Sequence, residues 1–169
     1  MNILFVTPYV PSRIRTRPYH LIRALVNLGH QITLLTAAGT SKEEQEQAAE
    51  IKRWGVKLNV FPVSRVRSLG NCLQALPSGE PLQAMYAYHP QMASRLRALW
   101  ERDTFDVVHV EHLRASRLIR VVRDAPVVYD SVDCISLLFE QAAQQGTQLR
   151  SRLMTMVDLA RTRRYEARL

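Results

Sequence analysis

Cysteine is nearly absent from this 169-residue chain, which holds only Cys72 and Cys134. They stand far apart with no paired spacing around either, which argues against a disulfide framework or a thiolate metal site. Glycine is also scarce, at 6 residues, and neither G-x-G-x-x-G nor G-x-x-x-x-G-K-[ST] occurs. Both phosphate-cradling loops need glycine so that the backbone can approach phosphate. A dinucleotide oxidoreductase, an epimerase and a P-loop nucleotidase are therefore disfavoured. Aromatic residues make up 7%, without an RNP-type motif or zinc spacing, which weighs against nucleic-acid recognition. No apolar run approaches the roughly 20 residues that span a bilayer. The first run, Ile3 to Val6, is too short for a signal-peptide core and has no basic stretch before it. A cytoplasmic protein is expected, with membrane association at the surface left open. Internal repeats and low-complexity tracts are missing as well.

Acid is missing from the first 42 residues, which carry Arg13, Arg15, Arg17, Arg23 and Lys42. The last stretch adds Arg150, Arg152, Arg161, Arg163, Arg164 and Arg168 against only Asp158 and Glu166. The net charge is +8 (23 basic minus 15 acidic residues), set in two basic ends around a near-neutral middle. Such fields attract phosphates, nucleic acid or anionic lipid headgroups. Solvated surface arginine is the alternative reading for the C-terminal cluster.

What the chain does contain is a set of short, β-branched, almost continuous apolar runs. They are Asn2–Thr7, Gln31–Thr36, Val56–Val63, Asp106–Glu111 and Pro126–Asp130. Runs apolar on both faces suit buried parallel strands. Helix-length segments lie between them. Thr16 is expected to cap a helix to Leu28, with Leu21, Ile22, Leu25 and Leu28 on one face and Gly29 at its stop. Ser41 and Glu44 form a capping-box pattern opening a helix to about Trp54. Pro90 starts another to Arg102, after a broken stretch from Arg65 to His89. This alternation predicts an α/β fold of Rossmann-like type, a doubly wound parallel sheet in the order 3-2-1-4-5. Residues 1–133 are assigned to that domain. Residues 134–169 read as a helical extension of one or two helices, broken near Gly146. The chain stops at Leu169 without a cap, glycine or proline, and is read as the first part of a longer protein.

In an open parallel sheet the ligand crevice lies beyond the carboxyl ends of the strands, at the switch point. Here that point falls between the first and fourth strands. Three loops reach it, Pro8–Thr16, Glu111–Ser116 and Asp130–Cys134, and they carry Tyr9, Ser12, Arg13, Arg15, Glu111, His112, Arg114, Asp130, Ser131 and Asp133. The first loop offers Pro-Ser-Arg-Ile-Arg-Thr-Arg at a helix N-terminus, where guanidinium groups and the positive helix end suit an anion. A solvent-exposed basic loop is the alternative. His109, inside the fourth strand, reads as a core histidine. Glu111 and His112 sit where a substrate hydroxyl would lie. His109, Glu111, His112 and Asp133 match no common ligand spacing, so no metal is expected. Asp130 and Asp133 also suit a turn and a helix N-cap.

The opening from Asn2 to Pro11, followed by His20–Leu25 and Leu28–Thr36, resembles the start of glycosyltransferase family 4. Asp106–Glu111 and Pro126–Asp133 resemble that family's fourth and fifth strands, and Arg164-Tyr165-Glu166 the helix before its sixth. The resemblance spans nearly the whole chain. It implies the acceptor-side, N-terminal half of a retaining GT-B hexosyltransferase-like enzyme active in polysaccharide biosynthesis. Such an enzyme moves a sugar from a nucleotide sugar to a saccharide or lipid-linked acceptor, and the missing second domain holds most of the donor. Without that domain the chain is expected to be inactive. The resemblance implies acceptor contacts for Tyr9, Glu111, His112 and Asp133, and donor-phosphate contacts for Ser12, Arg13 and Arg15. It implies no cofactor, because arginine, lysine and helix N-termini neutralise the leaving diphosphate instead of a metal ion. The chain departs from the family in three places. Ser12, Arg13 and Arg15 stand where a glycine pair is usual, Glu111 where the second histidine of His-x-His is usual, and Val132-Asp133 where His-Asp is common. The Arg-containing first loop is nearer to a subgroup of sugar transferases associated with exopolysaccharide gene clusters.

Two expectations concern charge. Arg13 and Arg15 are expected to face the interdomain crevice, with no acid nearby to neutralise them. The segment Arg65–Tyr88, with Leu69, Leu73, Leu76, Met85, Tyr86 and Tyr88 beside Arg65 and Arg67 and interruptions at Gly70, Pro77 and Gly79, is read in two ways. It is either a lip for an acceptor or anionic membrane, or a crossover helix whose Leu69 and Leu73 pack on the sheet. A basic anion- or nucleic-acid-binding Rossmann-like module remains the alternative to an enzyme.

Overall fold

The computed structural model describes residues 1–39, 41–122, 124–145 and 149–169. Five strands form one sheet: β1 (Asn2–Thr7), β2 (Gln31–Ala38), β3 (Lys57–Pro62), β4 (Val107–Glu111) and β5 (Val127–Asp130). Every pairing is parallel and the order is β3-β2-β1-β4-β5, as the alternation of runs predicts. β1 lies at the centre, pairing Phe5 with Leu34 on one side and with His109 on the other.

Helices cover both faces, which is why the central strands are apolar on both sides. On one face Leu4, Val6, Leu35, Val108 and Val110 meet Met92, Leu96 and Leu99 of α5 (Pro90–Arg102). That layer is completed by Leu118 and Val122, in and after a 3-10 turn over Arg117–Val121. On the other face Ile3, Phe5, Ile32 and Leu34 meet Ile22 of α1 (Thr16–Asn27) and Ile51 of α2 (Lys42–Arg53). Leu28 falls beyond the last turn of α1 and is exposed, contrary to its expected place on the apolar face.

The caps divide into local and tertiary ones. Ser41 Oγ accepts from Glu44 N at 3.2 Å, as expected for α2. Thr16 does not cap α1: the cap residue is Arg15, whose own N–H donates to Ser12 Oγ at 3.2 Å. The stretch after β3 resolves into α3 (Arg65–Ala75), capped by Ser64 Oγ, and α4 (Leu82–Tyr86). Gly70 lies inside α3 and does not interrupt it. The break falls between the two helices, where Gly79 takes φ 70° and Pro81 precedes α4. α3 turns Ser68, Asn71 and Ala75 inward, so Leu69 and Leu73 face solvent and do not pack on the sheet. On the inward side Asn71 Nδ2 donates to Tyr88 O at 2.8 Å.

After β4 comes the short α6 (Leu113–Ser116), and after β5 come α7 (Ile135–Gln145) and α8 (Leu149–Glu166). The expected break near Gly146 lies outside the described residues. α8 docks back on the domain, with Tyr165 buried and its Oη 3.2 Å from Ser116 Oγ. Asp158 Oδ1 accepts from Leu82 N at 2.9 Å. Asp133 does not cap α7. Glu166 Oε1 takes the Ile135 and Ser136 N–H groups at 3.0 and 3.4 Å, so the cap arrives from the end of α8. Among the described residues no helix is long and apolar enough to cross a membrane.

Candidate functional site

β1 delivers its chain into a loop that Thr7 pins by donating from Oγ1 to Tyr9 O at 2.9 Å. Tyr9 is the hub around which the polar side chains gather. The Arg15 guanidinium lies over its ring, 4.4 Å from the centroid, and the His112 ring meets it edge-on at 6.1 Å. Its hydroxyl donates to Glu111 Oε1 over a long 3.5 Å. Tyr9, Glu111 and His112, from two loops separated by about a hundred residues, therefore form one cluster at the switch point.

Glu111 is only 1% exposed. Its Oε2 has no hydrogen-bond partner among the described residues. Burial first, and the Asp130 charge second, push its carboxyl up to about 7, against the Tyr9 hydroxyl and Arg17. Burial and the Glu111 carboxylate in turn push the Tyr9 phenol up to about 12. An unpaired buried carboxyl oxygen is costly, and a ligand hydroxyl can satisfy it.

His112 adopts φ 68°, unusual for a residue with a side chain. Two hydrogen bonds hold it there. Its N–H donates to Asp130 O at 2.7 Å, and its Nδ1 accepts from Arg114 N at 3.1 Å. Burial and then Arg114 lower its pKa, and because Nδ1 accepts from Arg114 N, Nε2 is the ring nitrogen placed to donate. His109, packed against Phe5 at 4.4 Å between centroids with the rings tilted by 31°, is a packing residue as expected, and burial lowers its pKa too.

Asp130 Oδ1 accepts from Val132 N at 3.0 Å and from Arg17 Nη1 at 2.9 Å, so it forms the expected turn and also ties α1 to β5. Asp133 is exposed beside this turn, close enough to His112 for its charge to oppose the lowering of the imidazole pKa. Ser12 is buried, with its hydroxyl engaged by Arg15 N. Arg13 is exposed, 4.0 Å from Glu50 Oε1, while Arg15 Nη1 lies 3.6 Å from Glu44 Oε1. The expectation that no acid neutralises these arginines is thus corrected. The sequence around them is acid-free, but α2 folds back alongside and brings Glu44 and Glu50.

A cleft of about 390 Å³ opens between this loop, the ends of β2 and β3, and helices α3 and α4. Arg15, Arg65 and Arg114 converge on it against one acid, Glu44, with Tyr9, Ser68 and Tyr86 in the walls. Arg114 is oriented by Gln83, its Nε donating to Oε1 at 2.7 Å, and by the Tyr86 ring at 5.1 Å. Of the three loops expected at the crevice, the first supplies Tyr9 and Arg15, the second Arg114, and the third nothing to this lining. Sequence reasoning missed Glu44, Ser68 and the β2 end as site residues. Their only signal was position at the carboxyl end of a neighbouring strand. Among the described residues no three His, Cys, Asp or Glu side chains are placed to hold a metal ion.

A family model described as a glycosyl transferase 4-like domain matches residues 14–166 of the chain. No curated protein matches it, and no solved structure does.

Proposed function

The chain belongs to the glycosyl transferase 4-like family, a glycosyltransferase domain, and from that premise we propose that it is the acceptor-side half of a two-domain retaining enzyme. The reaction is transfer of a sugar from a nucleotide sugar to a saccharide or lipid-linked acceptor, of the kind used in exopolysaccharide assembly. Residues 1–133 bind the acceptor, and 134–169 lead towards a second, donor-binding domain.

One observation carries this reading: the buried Glu111 carboxyl, whose Oε2 has no partner among the described residues, lies behind Tyr9, and Tyr9 lines a cleft together with three arginines. In this reading Glu111 accepts a hydrogen bond from an acceptor hydroxyl and His112 Nε2 donates one to an acceptor oxygen. Tyr9 forms the floor between them, and Asp133 contacts the outer part of the acceptor. Ser12 shapes the first loop so that Arg13 and Arg15 meet the donor diphosphate, where their charge stabilises the leaving group. Arg15 has the better position, because its guanidinium lines the cleft while that of Arg13 lies 81% exposed outside it.

The test is kinetic and uses the full-length enzyme. Replacing Arg13 and Arg15 together by Ala is expected to lower turnover or donor affinity by about tenfold or more, the loss of one charge-stabilising group at a transition state. Wild-type kinetics in that variant would remove the donor role. Glu111→Gln is expected to raise the acceptor KM with the donor KM unchanged, which separates the acceptor side from the donor side.

A further inference from the structure

Among the described residues, the outer face of α3 carries a stripe without a partner. Val66 is 81% exposed, Leu69 63%, Leu73 59% and Leu76, at the helix end, 51%. At 100° per residue the four side chains fall within an arc of about 80°, roughly opposite the buried Ser68, Asn71 and Ala75. Scattered exposed apolar residues are ordinary, but a continuous stripe on one helix marks an interaction surface.

Charge identifies the kind of surface that fits. α3 contains no Asp or Glu, and Arg65 and Arg67 stand at its start. Among the described residues neither has a carboxylate within salt-bridge distance. At the other end Arg161 donates from Nη2 to Leu76 O at 2.9 Å, placing a third cation beside the stripe. Glu80, the next acid along the chain, is already held by Arg117 and Arg120. An apolar stripe flanked by cations at both ends, the two at its start without a carboxylate partner among the described residues, is the pattern of a helix that lies in a bilayer interface, its apolar side in the acyl boundary and its cations among anionic headgroups. The same helix lines the cleft with Arg65 and Ser68.

We propose that α3 docks this chain on an anionic membrane surface through Val66, Leu69, Leu73 and Leu76. The inference needs no transfer activity and stands or falls separately from the reaction assigned above. The 169-residue chain is sedimented with vesicles of phosphatidylcholine alone or with phosphatidylserine added, at low and at high salt. Binding is expected to require phosphatidylserine and to weaken at high salt, where headgroup charge is screened. Leu69→Gln with Leu73→Gln, and separately Arg65→Gln with Arg67→Gln, are each expected to reduce partitioning by about tenfold. All four residues are exposed, and unchanged circular dichroism checks that the variants fold. Failure to sediment, or sedimentation that the leucine pair does not alter, would overturn the proposal. So would a dimer in solution that the leucine pair dissociates, since a second copy of the chain would then be what covers the stripe.

Discussion

Glu111 ends β4 with its carboxyl buried and, among the described residues, only Oε1 engaged. Its pKa, about 7 in the fold against 4.5 for the free side chain, sets a stability slope. Between those values the folded chain holds a proton that the unfolded chain gives up. Stability is therefore greatest at the acid end of this window, falls as pH rises through it, and levels off above the folded pKa. Glu111→Gln removes the slope. Between pH 4 and pH 8 the variant is expected to gain on the order of 3 kcal/mol relative to the parent. Urea unfolding at both pH values checks this, and parallel pH profiles would show that the carboxyl ionises freely in the fold. The burial of Glu111 was not legible in the sequence. Strand periodicity placed it on the face of His109, but whether that strand end was open or covered depended on Tyr9, which comes from a loop about a hundred residues away.

At the scale of elements, helix ends show where local rules suffice. Ser41 and Ser64 each accept the N–H three residues ahead, as a hydroxyl before a helix does wherever it occurs. α7 is different, because Glu166 supplies its cap from across the fold. Glu166→Ala is expected to cost about 1 kcal/mol, the usual loss for an N-cap. It should also speed hydrogen exchange at Ile135 and Ser136 selectively. Uniform exchange rates along α7 in that variant would mean that the carboxylate holds nothing. The α3 stripe belongs to the same scale. Its leucines suit a sheet-facing helix by composition, yet the helix turns Asn71 inward to the Tyr88 carbonyl and leaves the leucines outside.

The molecule centres on one sheet between two apolar layers, joined through β1, β2 and β4, and a smaller third cluster gathers Ala84, Leu113, Ile135 and Tyr165. Leu96 fills one layer from α5 and Ile22 the other from α1, and both are fully buried. Truncating either to Ala is expected to cost about 2–5 kcal/mol through lost burial and the cavity left behind. Because the two layers share their strands, each variant should unfold in a single transition with an unchanged urea dependence. Two transitions in either variant would show that the faces fold independently.

The sequence by itself determined the sheet, its strand order and the family. Apolar runs of strand length alternating with amphipathic helices leave a doubly wound sheet as the way to bury both, and right-handed crossovers then fix the order. It also put Tyr9, Glu111 and His112 at one switch point, because strand ends in a parallel sheet share an edge. Only the tertiary structure decided which charges meet. Glu44 and Glu50 reach the first-loop arginines because α2 returns beside them, and Arg65 joins Arg15 and Arg114 because α3 packs over the same strand ends. Side-chain charge acts over a few ångströms of space whatever the distance along the chain, so neutralisation and convergence follow from packing and not from local pattern.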